Sequence, residues 1–357
     1  MEIEEKYMRR CIELAQNGCC YAAPNPMVGA VMVCNGRIIG EGYHARCGEA
    51  HAEVNAIRSV REPHLLRSAT LYVSLEPCAH YGKTPPCADL IIEKQIPRVV
   101  VGCLDPFIKV AGRGIEKLRA AGVEVATGVL EEECKALIRR FLTFHQQQRP
   151  YITLKWAQSS DGFIDRLRTG GEPLHLSSPL TLTRVHRLRA EHSAILVGRR
   201  TALLDNPTLN VRHWSGPQPV RIVIDRQGQL PSQQLHLFDG SLRTLVLTER
   251  SDLPTSAQVK AAPSQEKHPV TYCPLDFSAP LPPQIATLLH QAGLQSLLVE
   301  GGSYTLQSFI DAGLWDEAFV EEAPLIVGQG VRAPSLKEFK SVEVEQHFGH
   351  LFRHYRK

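Results

Sequence analysis

Residues 77–87 read PCAHYGKTPPC and follow, after Glu76, the apolar run ATLYVSL (69–75). The apolar run predicts a buried strand, and the two prolines before Cys87 predict that a helix begins there. Earlier in the chain, residues 51–57 read HAEVNAI, which predicts a helix that begins near Ala50. The sequence therefore places one histidine and two cysteines at the junctions between strands and helices.

The elements around this stretch predict a three-layer α/β arrangement for the first part of the chain. Helical spacing over residues 3–15 is followed by two short apolar runs that flank Asn35-Gly36, a dipeptide typical of a hairpin turn. Further strands are predicted at 98–104 and after Gly122, with a helix over 114–122 and a single helix over 131–146. The order β-β-α-β-α-β-α-β after an initial helix is typical of an α/β/α domain.

The pattern changes after residue 146, and a new strand begins within QQQRPYITLKWAQS (146–159). The second part again alternates strands with helices and is predicted to be a second α/β domain. We therefore expect two domains, residues 1–146 and 147–357. Two proline-rich segments, 213–220 and 254–270, are expected to be surface connections.

Bulk properties favour a globular protein without a nucleic-acid or membrane partner. The 357 residues are 43% hydrophobic and 22% charged, and the formal net charge is +3 with no long basic run. A nucleic-acid binder usually carries a clustered basic face, and no apolar stretch reaches the roughly 18–20 residues of a membrane span. The acidic, amphipathic start of the chain has no signal-peptide pattern, so we expect a cytoplasmic location.

His51, Cys78 and Cys87 form a nitrogen and sulfur ligand set that suits Zn²⁺. Three protein ligands leave a fourth position open for water, which is typical of a catalytic rather than a structural zinc. Glu53 lies two residues from His51 and is the candidate proton carrier, because zinc deaminases combine an H-x-E with a P-C-x-x-C and use the glutamate as general acid and base.

The cysteine spacing differs from that pattern, since eight residues separate Cys78 from Cys87. Two alternatives therefore stay open at this point. A closed structural zinc would need a fourth ligand, which His44, Cys47 or His80 would supply. The second alternative is a turn in which the two cysteines are buried and bind no metal.

Four segments resemble the deaminase half of the bifunctional riboflavin-biosynthesis deaminase–reductase family: PNPMVGAV (24–31), EGYHARCGEAHAEVNAI (41–57), PCAHYGKTPPC (77–87) and DPFIKVAGRG (105–114). The resemblance implies a cytidine-deaminase-like fold and a substrate that is a diaminopyrimidine with a phosphoribosylamino arm. It implies zinc ligands His51, Cys78 and Cys87, a catalytic Glu53, and substrate contacts at Asn25, His44, His80, Lys83, Thr84 and Asp105. For His44, a surface histidine at a strand end is the alternative interpretation.

Three segments of the second part resemble the reductase half of the same family: 154–162, 190–212 and 299–310. The resemblance implies a dihydrofolate-reductase-like fold and NADPH as cofactor. It implies cofactor contacts at Ala157, His175, Thr201, Asp205, Gly302, Ser303, Tyr304 and Thr305, and substrate contacts at Lys155, Pro173, Arg189, Leu209, Arg212 and Glu300.

Taken by itself, the turn at Gly301-Gly302 is a weaker signal. Two glycines after a buried strand and before a helix can cradle a pyrophosphate, although they can equally form an ordinary tight turn. The later segment GQGVRA (328–333) imitates a dinucleotide fingerprint. We interpret it as a loop, because no amphipathic helix follows it.

The chain departs from the family pattern at Phe107, where an asparagine is usual, and at His175, which stands on the expected nicotinamide side. The predicted function is zinc-dependent deamination of the phosphorylated pyrimidine, followed by NADPH reduction of its ribosyl arm. The alternatives are a nucleic-acid or nucleoside deaminase with an inactive second domain, and a zinc module without catalysis. The sequence leaves open whether the chain forms a homo-oligomer.

Overall fold

A computed structural model describes residues 3–79, 85–105, 112–253, 268 and 270–357. The chain folds as two compact units, residues 1–148 and 149–357. The predicted connection at 254–270 and the unusual Phe107 lie largely or wholly outside the described residues.

The first unit alternates strands and helices after an initial helix. In chain order its elements are α1 (Glu5–Gln16), β1 (Gly29–Cys34), β2 (Arg37–Tyr43), α2 (Ala52–Ser59), β3 (Thr70–Leu75), α3 (Cys87–Glu93), β4 (Arg98–Cys103), α4 (Arg113–Ala120), β5 (Glu124–Thr127), α5 (Glu131–Leu137) and α6 (Arg139–Gln146), with a 3-10 turn at Pro63–Ser68.

The five strands form one sheet in the order β2-β1-β3-β4-β5, with β3, β4 and β5 parallel and β1 antiparallel to both of its neighbours. Alternate strand residues face opposite sides of the sheet. Leu71 and Val73 of β3 pack with α2, α3 and α4, whereas Tyr72 between them packs with α1 and α5. The predicted three-layer α/β/α architecture is therefore confirmed.

Helix α2 packs directly on β2 because this strand carries glycine where the helix approaches. A Cβ on Gly42 would lie 2.3 Å from the backbone nitrogen of Ala56, and one on Gly40 would lie 2.5 Å from its carbonyl oxygen. No side chain larger than hydrogen fits at either position without moving the helix. This close approach fixes the N-terminus of α2 relative to the sheet.

The single helix predicted over 131–146 is wrong, because the chain leaves helical geometry at Ile138 (φ −103°, ψ 18°) and two helices result. Cys134 and Thr143 are both buried. In an unbroken helix, at about 100° per residue, these two residues would lie on opposite faces. The break allows both to face the core.

The second unit contains eleven strands and four helices among its described residues. They are β6 (Tyr151–Ser159), β7 (Phe163–Arg166), α7 (Pro179–Ala190), β8 (Ala194–Gly198), α8 (Arg199–Asp205), β9 (Val220–Ile224), β10 (Thr244–Thr248), β11 (Val270–Pro274), α9 (Leu281–Gln291), β12 (Ser296–Gly301), α10 (Ser303–Asp311), β13 (Glu317–Ala323), β14 (Gly330–Arg332), β15 (Ser341–His347) and β16 (His350–Arg356), with a 3-10 turn at His236–Phe238.

Nine of these strands form one sheet in the order β11-β10-β9-β8-β12-β6-β13-β16-β15. The first seven strands in this order, from β11 through β13, run parallel to one another. The C-terminal hairpin β15–β16 adds an antiparallel edge beside β13. The carboxyl ends of the neighbouring strands β8, β12 and β6 lie side by side, which is where open α/β sheets bind ligands. The segment GQGVRA, expected as a loop, instead contains β14, which pairs with β7.

Asp316 ties the start of β6 to the start of β13. Its carboxylate accepts two hydrogen bonds from the Arg149 guanidinium, both 2.7 Å long, and one of 2.7 Å from the backbone N–H of Ile152. Both side chains are mostly shielded from solvent, with 17% and 15% of Arg149 and Asp316 exposed. A shielded, bidentate pair of this kind contributes more than an exposed one.

We expect Asp316→Ala to lower the free energy of unfolding of the second unit by about 2–3 kcal/mol, because Arg149 and the Ile152 N–H both lose their acceptor. Urea denaturation followed by tryptophan fluorescence measures this unit alone, since Trp156, Trp214 and Trp315 all lie in it. The control is Glu249→Ala, which removes an exposed pair with Arg226. An equal effect of the two substitutions would contradict the interpretation.

Candidate metal centre and second site

Three side chains from separate elements meet at one end of the first unit's sheet. His51 immediately precedes α2, Cys78 follows β3, and Cys87 is the first residue of α3. Nδ1 of His51 lies 3.3 Å from the Cys87 sulfur and 3.6 Å from the Cys78 sulfur. The ligand atoms of all three residues lie within 4.8 Å of one another.

These separations fit a tetrahedral zinc ion. With Zn–S of about 2.3 Å and Zn–N of about 2.0–2.1 Å, a nitrogen and a sulfur ligand stand about 3.6 Å apart. The sequence prediction of a three-residue ligand group agrees with this geometry. Within the described ranges, no fourth His, Cys, Asp or Glu joins the group.

His44, one of the candidates for a fourth ligand, is engaged elsewhere. Its Nδ1 lies 3.2 Å from the Ala50 carbonyl oxygen, and its Nε2 lies 3.0 Å from Nδ2 of Asn25. Because a carbonyl oxygen can only accept, Nδ1 carries the proton and Nε2 accepts from Asn25. His44 is 3% exposed, so the alternative of a surface histidine is wrong.

The site favours a thiolate. Hydrogen bonding from the Cys87 thiol lowers the pKa of Cys78, and the same contact raises the pKa of Cys87. The backbone N–H of Cys87 also donates to the Cys78 sulfur over 3.3 Å. This N–H belongs to the first turn of α3, where backbone donors lack partners within the helix and negative charge is stabilised.

Glu53 is buried in the first turn of α2 beside the metal ligands. Burial, together with the nearby Cys78, raises the pKa of Glu53 to about 7. A carboxyl with a pKa near neutrality can both accept and release a proton at physiological pH. The predicted proton carrier thus lies where this role requires it.

The predicted pyrimidine contacts fall into two groups. Asn25 and His44 lie together beside the metal ligands, where the His44 ring packs edge-on against His51 with centroids 5.3 Å apart. Asp105 follows β4, the strand next to β3. His80, Lys83 and Thr84 lie outside the described residues.

In the second unit, the predicted cofactor residues Thr201, Gly302 and Thr305 surround the turn between β12 and α10. A Cβ on Gly302 would lie 3.2 Å from the Thr201 hydroxyl, and one on Gly198 would lie 2.6 Å from the Thr305 hydroxyl. Gly302 is the N-cap of α10 and offers no side chain to cap it. Backbone donors and two hydroxyls therefore line a cradle that is suited to a pyrophosphate.

The side chains of the remaining predicted cofactor residues have other surroundings. Ser303 donates its hydroxyl to the Arg332 carbonyl, and Tyr304 is 89% exposed. Asp205 pairs with Arg168, whose guanidinium also donates to the Gly171 carbonyl and so holds the segment that contains Pro173 and the exposed His175. Ala157 lies in β6 opposite Glu321.

The predicted substrate residues of the second unit converge on a buried ion pair. Arg189, at the end of α7, donates from Nε and Nη2 to Glu300 over 2.8 and 2.7 Å. Burial disfavours the charged form of Glu300, but the neighbouring Arg189 guanidinium holds the pKa of Glu300 below its usual range. Lys155 lies within electrostatic reach of both, and its loss of solvation lowers its pKa.

Arg189 and Arg212 differ in what they can offer a ligand. A third donor of Arg189, Nη1, is bonded to the Asn210 carbonyl over 3.2 Å, so most of its fork is committed inside the protein. Arg212 is exposed and donates Nη1 to the Asn210 side chain. Leu209, which precedes Asn210 in the chain, is buried and has a φ of +50°. Of the two arginines expected to contact the substrate, Arg212 therefore has more donors left for a ligand.

Sequence reasoning missed three residues near these sites: Glu76, Arg168 and His186. His186 is buried, accepts a hydrogen bond from the Arg212 N–H, and has its pKa lowered to about 4 by burial and then by Arg189 and Arg212. For Glu76 a signal existed, since it is an acid directly before the Pro77-Cys78 pair at the end of an apolar strand. Arg168 lies in a segment without helical or strand periodicity, so no sequence pattern indicated a role for it.

Two family models match the chain. Residues 1–103 match the cytidine and deoxycytidylate deaminase zinc-binding region, and residues 150–350 match the RibD C-terminal domain. The fold and the site together therefore define a zinc-dependent deaminase domain joined to a reductase domain.

Proteins similar along nearly the whole chain support the same conclusion. The riboflavin biosynthesis protein RibD of Aquifex aeolicus is 41% identical over 331 residues, which cover 92% of this chain and 89% of that protein. RibD of Escherichia coli (strain K12) is 37% identical over 348 residues, which cover 92% of this chain and 90% of that protein.

Among solved structures, a diaminohydroxyphosphoribosylaminopyrimidine deaminase/5-amino-6-(5-phosphoribosylamino)uracil reductase from Thermotoga maritima superposes with a TM-score of 0.86. It is 39% identical, and the match covers 99% of this chain and 98% of that one. Acinetobacter baumannii RibD (form 1) gives 0.84 at 32% identity, with the same coverage.

The chain belongs to the RibD family of riboflavin biosynthesis proteins and is a bifunctional deaminase and reductase. The resemblance stated from the sequence is confirmed, and so are the fold class and the enzyme class. Of the helices in the described part of the chain, none has the length and apolar character that a membrane span requires.

We expect the purified protein to contain about one zinc ion per chain, since three ligands already stand at zinc-ligand separations. Cys87→Ala should abolish zinc retention, measured by elemental analysis after gel filtration. Cys47→Ala is the matched control, because Cys47 was the other nearby cysteine considered as a ligand. Loss of zinc from Cys47→Ala would indicate a closed structural site instead.

Proposed function

We propose that the first domain hydrolytically deaminates 2,5-diamino-6-(5-phosphoribosylamino)pyrimidin-4-one and that the second reduces the ribosyl arm of the product with NADPH, giving 5-amino-6-(5-phosphoribitylamino)uracil. The observation that carries the proposal is the meeting of His51, Cys78 and Cys87 beside the buried Glu53. The substrate is inferred from the name of the similar Thermotoga maritima protein, which is 39% identical over 99% of this chain.

In the deamination, His51, Cys78 and Cys87 would hold the zinc ion. When bound, zinc in such a three-ligand site supplies a Lewis acid and lowers the pKa of a water in the open position to about 7. The chain's own part is proton transfer: Glu53 takes a proton on its carboxylate and delivers it to the leaving amine, so that water is consumed and ammonia released.

Asn25 and His44 would orient the pyrimidine. Because Nε2 of His44 accepts from the Asn25 amide, the amide keeps a second N–H and its carbonyl oxygen for the edge of a heterocycle. Burial lowers the pKa of His44, which favours the neutral ring. The neutral His44 ring therefore adds no positive charge beside the zinc ligand His51. Lys83 and Thr84 remain proposed contacts of the phosphoribosyl arm, as does His80.

In the reduction, the turn at Gly302, with Thr201 and Thr305, would hold the pyrophosphate of NADPH. When bound, the nicotinamide supplies the hydride, and the protein supplies orientation and electrostatics. Lys155, Arg189 and Glu300 would form the polar floor for the ribosyl arm, and Arg212 would bind the phosphate.

The alternative of a nucleic-acid or nucleoside deaminase with an inactive second domain is less well supported. The similarity to RibD proteins extends through both domains, and the second domain retains the glycine turn and the Arg189–Glu300 pair.

Glu53→Gln tests the proton carrier, because the amide keeps the size of the side chain but cannot accept and deliver a proton. We expect ammonia release to fall by about 10²–10⁴-fold with zinc content unchanged. Reduction of separately supplied deaminated pyrimidine should continue at the wild-type rate. Mass spectrometry of the products with and without NADPH measures both steps.

The matched control for this experiment is Glu49→Gln, an exposed acid in the same segment. Normal deamination by Glu53→Gln would refute the role of Glu53. Failure of zinc-loaded wild-type protein to convert the pyrimidine would refute the proposed substrate.

Arg212→Ala tests the phosphate contact in the second domain. Removing an exposed guanidinium leaves no buried charge behind, unlike Arg189→Ala, which would strand Glu300. We expect the reductase KM for the pyrimidine to rise about tenfold with kcat unchanged, as suits the loss of one charged hydrogen bond. Arg226→Ala, an exposed arginine paired with Glu249, is the control. An unchanged KM would exclude Arg212 from the phosphate site.

A further inference from the structure

Glu76 is a buried acid that the reaction as described above does not use. It follows β3, precedes the zinc-ligand segment Pro77-Cys78, and is 4% exposed. Its backbone N–H donates to the Cys103 carbonyl over 3.0 Å, which extends the pairing of β3 with β4. The side chain therefore lies at the end of the two central parallel strands.

The carboxylate of Glu76 accepts three backbone hydrogen bonds. Oε2 accepts from the N–H of Asp105 over 3.2 Å and from that of Gly112 over 3.0 Å. Oε1 accepts from the N–H of Gly114 over 3.0 Å. A carboxylate offers only acceptors, so it matches three converging N–H donors in a way that an amide cannot.

Two of these donors belong to the start of α4, where Gly112 is the N-cap and Gly114 lies in the first turn. Such N–H groups have no partner within the helix, and the helix dipole favours a negative charge beside them. The third donor is the residue that leaves β4 toward this helix. One side chain thus joins both ends of the segment between β4 and α4.

The contact between Glu76 and α4 is also sterically tight. A Cβ on Gly114 would lie 2.0 Å from the Pro77 carbonyl oxygen and 3.2 Å from Oε1 of Glu76. Helix α4 is therefore seated directly against the peptide that leads to the zinc ligand Cys78. The carboxylate of Glu76 thus links Asp105 to the segment that leads to Cys78.

We propose that Glu76 is a positioning residue of the deaminase, which fixes Asp105 relative to the zinc ligands so that Asp105 can bind the ribosyl arm. The inference rests on the proposed function of the first domain and on Asp105 as a substrate contact. Glu76 itself touches backbone and not substrate.

The test uses the full-length, zinc-loaded protein and the diaminopyrimidine substrate. Glu76→Gln replaces one acceptor with an NH₂ group that faces backbone donors, so Asp105 should shift while the shape of the side chain is kept. We expect the deaminase KM to rise about tenfold with kcat changed less than about twofold. Zinc content and reductase activity should stay at wild-type values.

Glu116→Gln is the matched control, because it makes the same change in the first turn of the same helix. It should leave both activities unchanged. If the wild type and this control fail to deaminate the pyrimidine, the proposed function fails. If they succeed and Glu76→Gln behaves like them, the inference about Glu76 alone is wrong.

A double-mutant cycle with Asp105→Ala separates positioning from general stability. Once the Asp105 side chain is gone, its placement no longer matters, so Glu76→Gln should raise KM by less than about twofold in that background. Fully additive effects, a fall in kcat, or loss of zinc would overturn the proposal. If Glu76→Gln does not accumulate as folded protein, Glu76→Asp, which keeps the charge but retracts it, enters the same cycle with the same expectations.

Discussion

The metal centre depends on the docking of the N-terminus of α3 against the end of β3. Cys78 and Cys87 come from the two sides of this junction, and the N–H groups of Cys87 and Ala88 donate to the sulfur and the carbonyl oxygen of Cys78. The helix terminus thus holds the loop and stabilises negative sulfur with the same donors. Without this contact, the Cys78 sulfur would lose a backbone donor that stabilises its negative charge.

Both domains apply one physical solution to different chemistry. In each, parallel strands deliver side chains to their carboxyl ends, and a helix that begins there presents backbone donors. The first domain adds an imidazole and thiolates, which suit a borderline-soft metal ion. The second adds hydroxyls at Thr201 and Thr305 and a buried ion pair, Arg189–Glu300, which suit phosphate and sugar. The ion pair is set before any ligand arrives, since Arg189 is already bonded to Glu300 and Asn210.

Local signals made much of this structure predictable. The Asn35-Gly36 turn has positive φ at both residues (50° and 71°), as a hairpin with this sequence requires. The residue types of His51, Cys78 and Cys87 indicated a metal site although the spacing of the cysteines was unusual. Local sequence patterns did not predict the features that depend on residues distant in the chain. Strand β15 is exposed along its whole length, so no burial pattern marked it. The Arg189–Glu300 pair joins residues 111 positions apart, and no local pattern predicts such a contact.

Two buried glutamates near the zinc ligands show how surroundings assign different tasks to the same side chain. Glu53 lies beside the cysteine ligands, and burial brings its pKa to about 7, which suits a group that must gain and lose a proton. Glu76 is buried as deeply but is met by three backbone N–H groups, which satisfy its oxygens and hold it in place. A carboxylate bound in that way cannot move to a substrate, whereas it can hold two ends of a chain segment together. The division of labour between proton transfer and placement therefore follows from the number of donors around each acid.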